Sequence, residues 1–150
     1  MAATELPDEA AQLLAERAVS AMYERDVASG ALGLRILEVR ADFIRAAMSV
    51  RADMVNGHDL CHRGLIFTFA DSAFAFCCNS HNVVTVGGSA SIDFIAPARK
   101  GDELVALAKM ISRTRRSGIC DVVVSNQRGE TIAKFRGRSA GEQGTVAQEQ

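Results

Sequence analysis

The residues best suited to chemistry lie together in the middle of the chain. Asn56-Gly57-His58-Asp59-Leu60-Cys61-His62-Arg63-Gly64 is polar and turn-prone, and it runs directly into Leu65–Cys78, whose only polar side chains are Thr68, Asp71 and Ser72. A helix apolar on every side is a buried helix, and a buried carboxylate without a partner is expensive. Asp71 is therefore either held structurally, by an Arg or hydroxyl of a neighbouring subunit, or kept for chemistry. In a dry cleft desolvation raises the basicity of a carboxylate, which suits a general base or nucleophile. At the start of the same helix the N–H groups of Arg63 and Gly64 have no intrahelical acceptor and sit at the positive end of the dipole. That is a cradle for an oxyanion, unless Asn56 or Asp59 caps the helix instead.

Spacing links the two groups. Arg63 and Asp71 are eight positions apart, which is about 12 Å along a helix at 1.5 Å per residue. One small carbonyl cannot touch both. If both act on one substrate carbonyl they belong to different copies of the chain, which places the site across a dimer interface with two equivalent sites per dimer. His58 and His62, with Cys61 between them, resemble a metal cluster, but no further ligand pair stands out. Loop-bracing histidines are the expected role, with no metal and no cofactor. Phe67 and Phe74 belong to a Phe-rich helix and could line an aromatic acyl pocket as well as the core. Arg99, at a predicted turn, could meet an anionic phosphate tail.

The elements that must position these residues read as follows. Pro7-Asp8-Glu9 starts a helix, with Leu13, Leu14, Val19 and Met22 as its apolar stripe up to about Val27. Ala31–Val39 and Phe43–Val50 read as strands around a turn near Arg40-Ala41-Asp42. After an irregular stretch comes the apolar helix, from about His62 to Cys78. Four strand-like runs follow: Val83–Ile95, Glu103–Thr114, Ile119–Asn126 and Thr131–Arg138. Short Gly-containing connections between them favour antiparallel hairpins. The order satisfies an α+β hotdog fold, an antiparallel sheet wrapped around a long central hydrophobic helix, with an N-terminal helix. Residues 1–140 would form one domain and residues 141–150 a flexible polar tail. Apolar surface left uncovered by the sheet implies a homodimer, and dimers could pair into a homotetramer.

Composition narrows the function classes. With 150 residues, 48% hydrophobic, 23% charged and a net charge of −1, nucleic acid is not an expected partner. No run approaches the roughly 20 apolar residues of a membrane span. The N-terminus lacks the basic and apolar regions of a secretory signal, and the four cysteines form no C-x-x-C pair. A reduced, cytoplasmic setting is expected. There is no P-loop, no G-x-G-x-x-G and no G-x-S-x-G.

The segment from Asn56 to Ser80, N-G-H-x-x-C-H-x-G-x-x-F-x-x-A-D-x-A-F-A-x-x-C-N-S, closely resembles the PaaI-type acyl-CoA thioesterases of the hotdog superfamily. The likeness extends to Met22-Tyr23-Glu24-Arg25-Asp26, Ile92-Asp93-Phe94-Ile95-Ala96-Pro97 and Phe135-Arg136-Gly137, and covers roughly residues 20 to 140. It implies hydrolysis of phenylacetyl-CoA, or of its ring-hydroxylated relatives, to free acid and CoA in phenylacetate degradation. By the resemblance Asp71 is the catalytic carboxylate, Asn56 the loop amide that positions thioester or water, and His62 the first residue of the His-Gly-Gly motif. Gly64 matches the second glycine. Arg63 stands where the family has the first glycine, whose N–H polarises the thioester carbonyl. A backbone N–H survives that change, but a bulky side chain enters where ligand approaches closely. It could narrow the channel or turn outward to a CoA phosphate. The alternative function is a catalytically weak acyl-CoA binding protein. Enoyl-CoA hydration on the same fold fits less well, because His62 is too near the helix start to pair with Asp71 in one chain.

Overall fold

The computed structural model describes residues 8–141 and 144–147. Asp8 caps α1 (Glu9–Arg25), its side chain accepting from the Ala10 N–H, and a short α2 (Val27–Ala31) follows. Pro7 lies outside the described residues. The face of α1 that packs is Ala15, Ala18 and Val19, whereas Leu13 and Leu14 are exposed. The expected leucine stripe is thus corrected. Small side chains let α1 lie close against β1 (Arg35–Arg40), and the bulkier leucines are turned outward. The two strands around Ala41-Asp42 are β1 and β2 (Phe43–Ser49), with Asp42 at a positive φ in the turn.

The central helix α3 spans Arg63–Cys78 and buries Ile66, Phe69, Ala70, Ala73, Phe74, Phe76, Cys77 and Cys78. Strands β3 (Val86–Phe94), β4 (Glu103–Arg113), β5 (Ser117–Ser125) and β6 (Thr131–Ala140) complete a six-stranded antiparallel sheet in the order β1-β2-β4-β5-β6-β3. In β4 and β5 burial alternates residue by residue, so one face meets the helix. Two cross-strand rungs show how: Ile44–Ala108–Val122–Phe135 and Ala46–Ala106–Val124–Ala133. In the first rung the small Ala108 falls on central β4, beneath the helix, and the larger Ile44 and Phe135 fall on the flanking strands; the second rung is small throughout except for Val124. The sheet wraps the helix as the hotdog arrangement requires.

One expected hairpin is absent. β3 does not pair with β4; it crosses the sheet and pairs with β6. The reason is in its composition. Gly87-Gly88-Ser89-Ala90-Ser91 offers no inward apolar row, and these residues are exposed. The alternating Leu, Ala and Val of β4 fill the central position instead. β3 is left as an edge strand with its outer side unpaired among the described residues. Part of the expected free tail is also bonded to the body: Thr145 bridges Val83, and Asn82 is hydrogen-bonded to Ala147 in both directions.

Gly137 on β6 shows how tightly α3 is seated. A Cβ there would stand 2.7–2.8 Å from three ring atoms of buried Phe74. Gly137→Ala is expected to destabilise the protein by about 1–3 kcal/mol through overpacking. Adding Phe74→Leu removes the ring atoms in the way, so the double variant should cost less than the sum of the singles in chemical denaturation.

Candidate active site

The loop before α3 is built on Asn56. Its Oδ1 accepts from the His58 N–H at 2.9 Å and the Leu60 N–H at 3.2 Å, and its backbone N–H donates to the Leu60 carbonyl at 2.8 Å. This local side-chain turn needs a left-handed residue, which Asp59 supplies at φ 59°. The loop is then pinned from both sides. The Cys61 N–H donates to the Ala98 carbonyl and the His62 N–H to the Met54 carbonyl, each at 2.8 Å. A bridge joins Leu60 to Arg99. The helix start is therefore held against the β3–β4 connection.

His62 is the N-cap of α3: its Nδ1 accepts from the Gly64 N–H at 2.9 Å. This corrects two expectations. Neither Asn56 nor Asp59 caps the helix, and the Gly64 amide is already engaged. The Arg63 N–H donates to no protein acceptor among the described residues, so it is the amide left for an oxyanion. Gly64 is tied to the same device, because a Cβ there would lie 3.0 Å from His62 Nδ1. Gly64→Ala is expected to push the imidazole off the cap. His62→Ala should remove the cap outright, lowering stability by about 1 kcal/mol; thermal melts of both variants measure this.

Asp71 is not buried in the single chain, contrary to expectation. Gly64 and Asp71 are exposed and Thr68 and Ala75 half-exposed, at spacings that put all four on one stripe of α3 that the sheet does not cover. The helix is apolar in composition, but its neighbours within one chain cover only part of it. The Asp71 carboxylate makes no hydrogen bond or ion pair with any described residue, and partial desolvation raises its pKa above the ordinary Asp value. The next residue is anchored: Ser72 Oγ lies 3.0 Å from the Oγ of buried Ser29, which donates to Asp26 at 2.6 Å. That contact links α2 to α3 at the level of Asp71.

A cavity of about 600 Å³ opens beside the helix start, walled on one side by Asn56, His62 and Arg63 and on the other by Phe94, Pro97 and Ala98. Asp71 is not among its lining residues, as the 12 Å estimate along the helix requires. The structure thus brings Asn56, His62, Arg63 and Gly64 together and leaves Asp71 apart in the same chain. Of the expected acyl-pocket residues, Phe74 is buried core, 5.7 Å from the Phe135 ring, and half-buried Phe67 packs edge-on to Phe135 at 5.5 Å. Neither lines the cavity. Phe rings on the covered face of an Ala-rich helix fill space against β6 first. Arg99 is exposed just beyond Ala98. The Phe94–Ala98 wall was not among the expected site residues, although Phe94 to Pro97 falls in a stretch that carries the family likeness.

Cys61 also lines the cavity, but burial, reinforced by the nearby Asp102 charge, pushes its thiol up to about 11. At neutral pH it is protonated and a poor nucleophile. No group of three His, Cys, Asp or Glu among the described residues is placed to hold a metal. None of their helices is long and apolar enough to cross a membrane.

These features agree with comparisons to known proteins. The profile of the thioesterase superfamily matches residues 58–133, and the chain belongs to that family. Within it, the chain is 40% identical to acyl-coenzyme A thioesterase PaaI of Escherichia coli over 129 residues, 86% of this chain and 92% of that protein. The structure of E. coli PaaI, from the phenylacetic acid degradation operon, superposes with a TM-score of 0.88 at 39% identity, covering 89% of this chain and 97% of that one. A mutant of phenylacetic acid degradation protein PaaI from Thermus thermophilus gives 0.72 at 31% identity, over 75% and 96%.

Proposed function

We propose that this protein is an acyl-CoA thioesterase that hydrolyses aryl-acyl-CoA thioesters, phenylacetyl-CoA or its ring-hydroxylated relatives, to free acid and CoA in phenylacetate degradation. It would act in the cytoplasm as a homodimer, with dimers pairing into a tetramer. The observation that carries the mechanism is an Asp71 with no partner among the described residues, on the uncovered stripe of α3 and about 12 Å along the helix from the Arg63 N–H, which has no acceptor among them either. The 40% identity to PaaI supports the substrate class.

In this mechanism the thioester carbonyl lies against the Arg63 N–H of one subunit, at the positive end of α3. The Asp71 carboxylate of the other subunit faces the carbonyl carbon. As general base, Asp71 takes a proton from water while the water oxygen bonds to that carbon. The oxyanion formed is held by the Arg63 N–H; it collapses, the C–S bond breaks, and the CoA sulfur leaves and is protonated. As nucleophile, Asp71 bonds to the carbon, the C–S bond breaks and the CoA sulfur leaves and is protonated, and water then cleaves the resulting anhydride. Single turnover in isotopically labelled water distinguishes them: label enters the acid directly for the base and enters Asp71 for the nucleophile. Asn56 accepts two loop N–H groups through Oδ1, while its amide nitrogen has no protein acceptor among the described residues. That nitrogen is suited to orient the thioester or the water.

No observation favours the binding-only alternative. The Arg63 side chain turns onto the Phe94 ring, 5.4 Å from its centroid, and its own N–H stays unbonded. The assembly is tested by sedimentation: a dimer or tetramer is expected across micromolar concentrations, and a monomer that hydrolyses phenylacetyl-CoA would overturn the shared site. The uncovered α3 stripe and the unpaired edge of β3 are the surfaces a second copy would cover.

A further inference from the structure

Arg63 is where this chain departs from the glycine of the resembling family, and its side chain has been given a fixed place. The guanidinium lies over the Phe94 ring on the wall of the 600 Å³ cavity. Arg35, Arg51, Arg113, Arg128 and Arg136 each have a carboxylate within ion-pair distance. Arg63 has none among the described residues. The cavity lining contains no Asp or Glu at all; its ionisable groups are Arg63, His58, His62 and the protonated Cys61. The positive end of α3 opens beside them. A guanidinium held over a ring face still has N–H donors to offer, and these fit the two oxygens of a carboxylate or phosphate.

We propose that Arg63 is a specificity-determining residue that binds an oxyanion group of the substrate, so that the cavity selects thioesters carrying a negative charge near the helix start. The proposal rests on the acyl-CoA reading above. The oxyanion has two possible sources, a phosphate of the CoA carrier or a carboxylate at the end of the acyl group, and both present the same chemistry to the guanidinium. The exchange of glycine for arginine then gives up open space at the helix start for a charge that discriminates between substrates. The side chain and the backbone of this residue have separate tasks: the N–H serves the carbonyl and the guanidinium serves the anion.

Binding is the appropriate readout, because it holds whether or not thioester is turned over. Calorimetry would compare CoA with pantetheine, which lacks the phosphates, and a carboxyalkyl-CoA thioether with its methyl-terminated isostere. The variants are Arg63→Met, which keeps an apolar stem over Phe94 without charge, and Arg63→Lys, which keeps charge without the fork. The wild type should prefer the charged member of at least one pair, and Arg63→Met should reduce that preference by about tenfold or more, the loss of one charge-assisted contact. Arg63→Lys should retain part of it. Loss confined to the CoA–pantetheine pair identifies the phosphate, and loss confined to the thioether pair identifies an acyl carboxylate. The proposal is overturned if Arg63→Met leaves both ratios within about twofold of wild type, or weakens charged and neutral ligands alike. Failure of the thioesterase reading would appear differently, as ligand binding with intact Arg63 selectivity but no release of thiol from phenylacetyl-CoA.

Discussion

Asp71→Asn is expected to lower turnover of phenylacetyl-CoA by about 10²–10⁴-fold, the range for loss of a positioned acid–base group, with the fold intact. The side chain is exposed in the chain and bonded to no described residue, so an isosteric amide breaks no contact. Stability should move the other way. Desolvation raises the folded-state pKa of Asp71 above its unfolded value, so the protonated form is the one folding favours. The ionised carboxylate becomes a cost as pH rises through the folded pKa. At neutral pH Asp71→Asn should therefore melt at or above the wild-type temperature, and the difference should vanish in acid where both side chains are neutral. The same shift moves the acid limb of the activity profile upward from where an unperturbed Asp would put it. Thiol release across pH, with melting curves of both proteins, measures all three. Undiminished activity in Asp71→Asn would sink the mechanism.

Arg63→Pro should be nearly as damaging, for a different reason. Arg63 is the first helical residue of α3, where proline is favoured because its missing N–H would have no helical acceptor. The preceding His62 has φ −59° and ψ 128°, extended values that a following proline accepts. The substitution thus deletes the first-turn amide of α3 that has no acceptor among the described residues, while keeping the helix. Loss of an oxyanion donor costs about 10²–10³ in kcat. Arg63→Gly is the control that keeps the N–H. The two inactive chains then test the shared site directly. In a mixed dimer, Asp71 of the Arg63→Pro chain meets the Arg63 N–H of the Asp71→Asn chain, and one intact site forms. Unfolding and refolding the two together should restore about a quarter of wild-type activity at random equimolar pairing. A site contained within one chain would give no recovery.

Much of this arrangement was legible in the residues. The polar loop, the start of α3 and the isolated carboxylate are local features, and helix rise alone separates Arg63 from Asp71 by more than one carbonyl can span. The period-two burial of β4 and β5 was likewise carried by their alternating Val, Leu and Ala. Other features were not local. That β3 crosses to β6 depends on the competition among strands for the central positions, which a Gly- and Ser-rich strand loses. That His62 rather than Asn56 caps α3 depends on Asn56 being used up by its own loop, and the loop in turn is held by the adjacent Met54 and by Ala98 from a distant part of the chain. For Leu13 and Phe74 alike, type and spacing show that a side chain is apolar, but not what lies opposite it.

By itself the sequence determined the order and kind of the elements apart from the short α2, the family likeness, and the presence of a carboxylate too far along one helix to serve the amide at its start. These follow from period, rise and residue chemistry, which act over a few neighbours. Only the tertiary structure decided which side of α3 stays uncovered, which amide remains unbonded, and where the Arg63 side chain lies. Those depend on contacts between residues far apart in the chain, where burial and hydrogen bonding are shared out only once the sheet has closed around the helix.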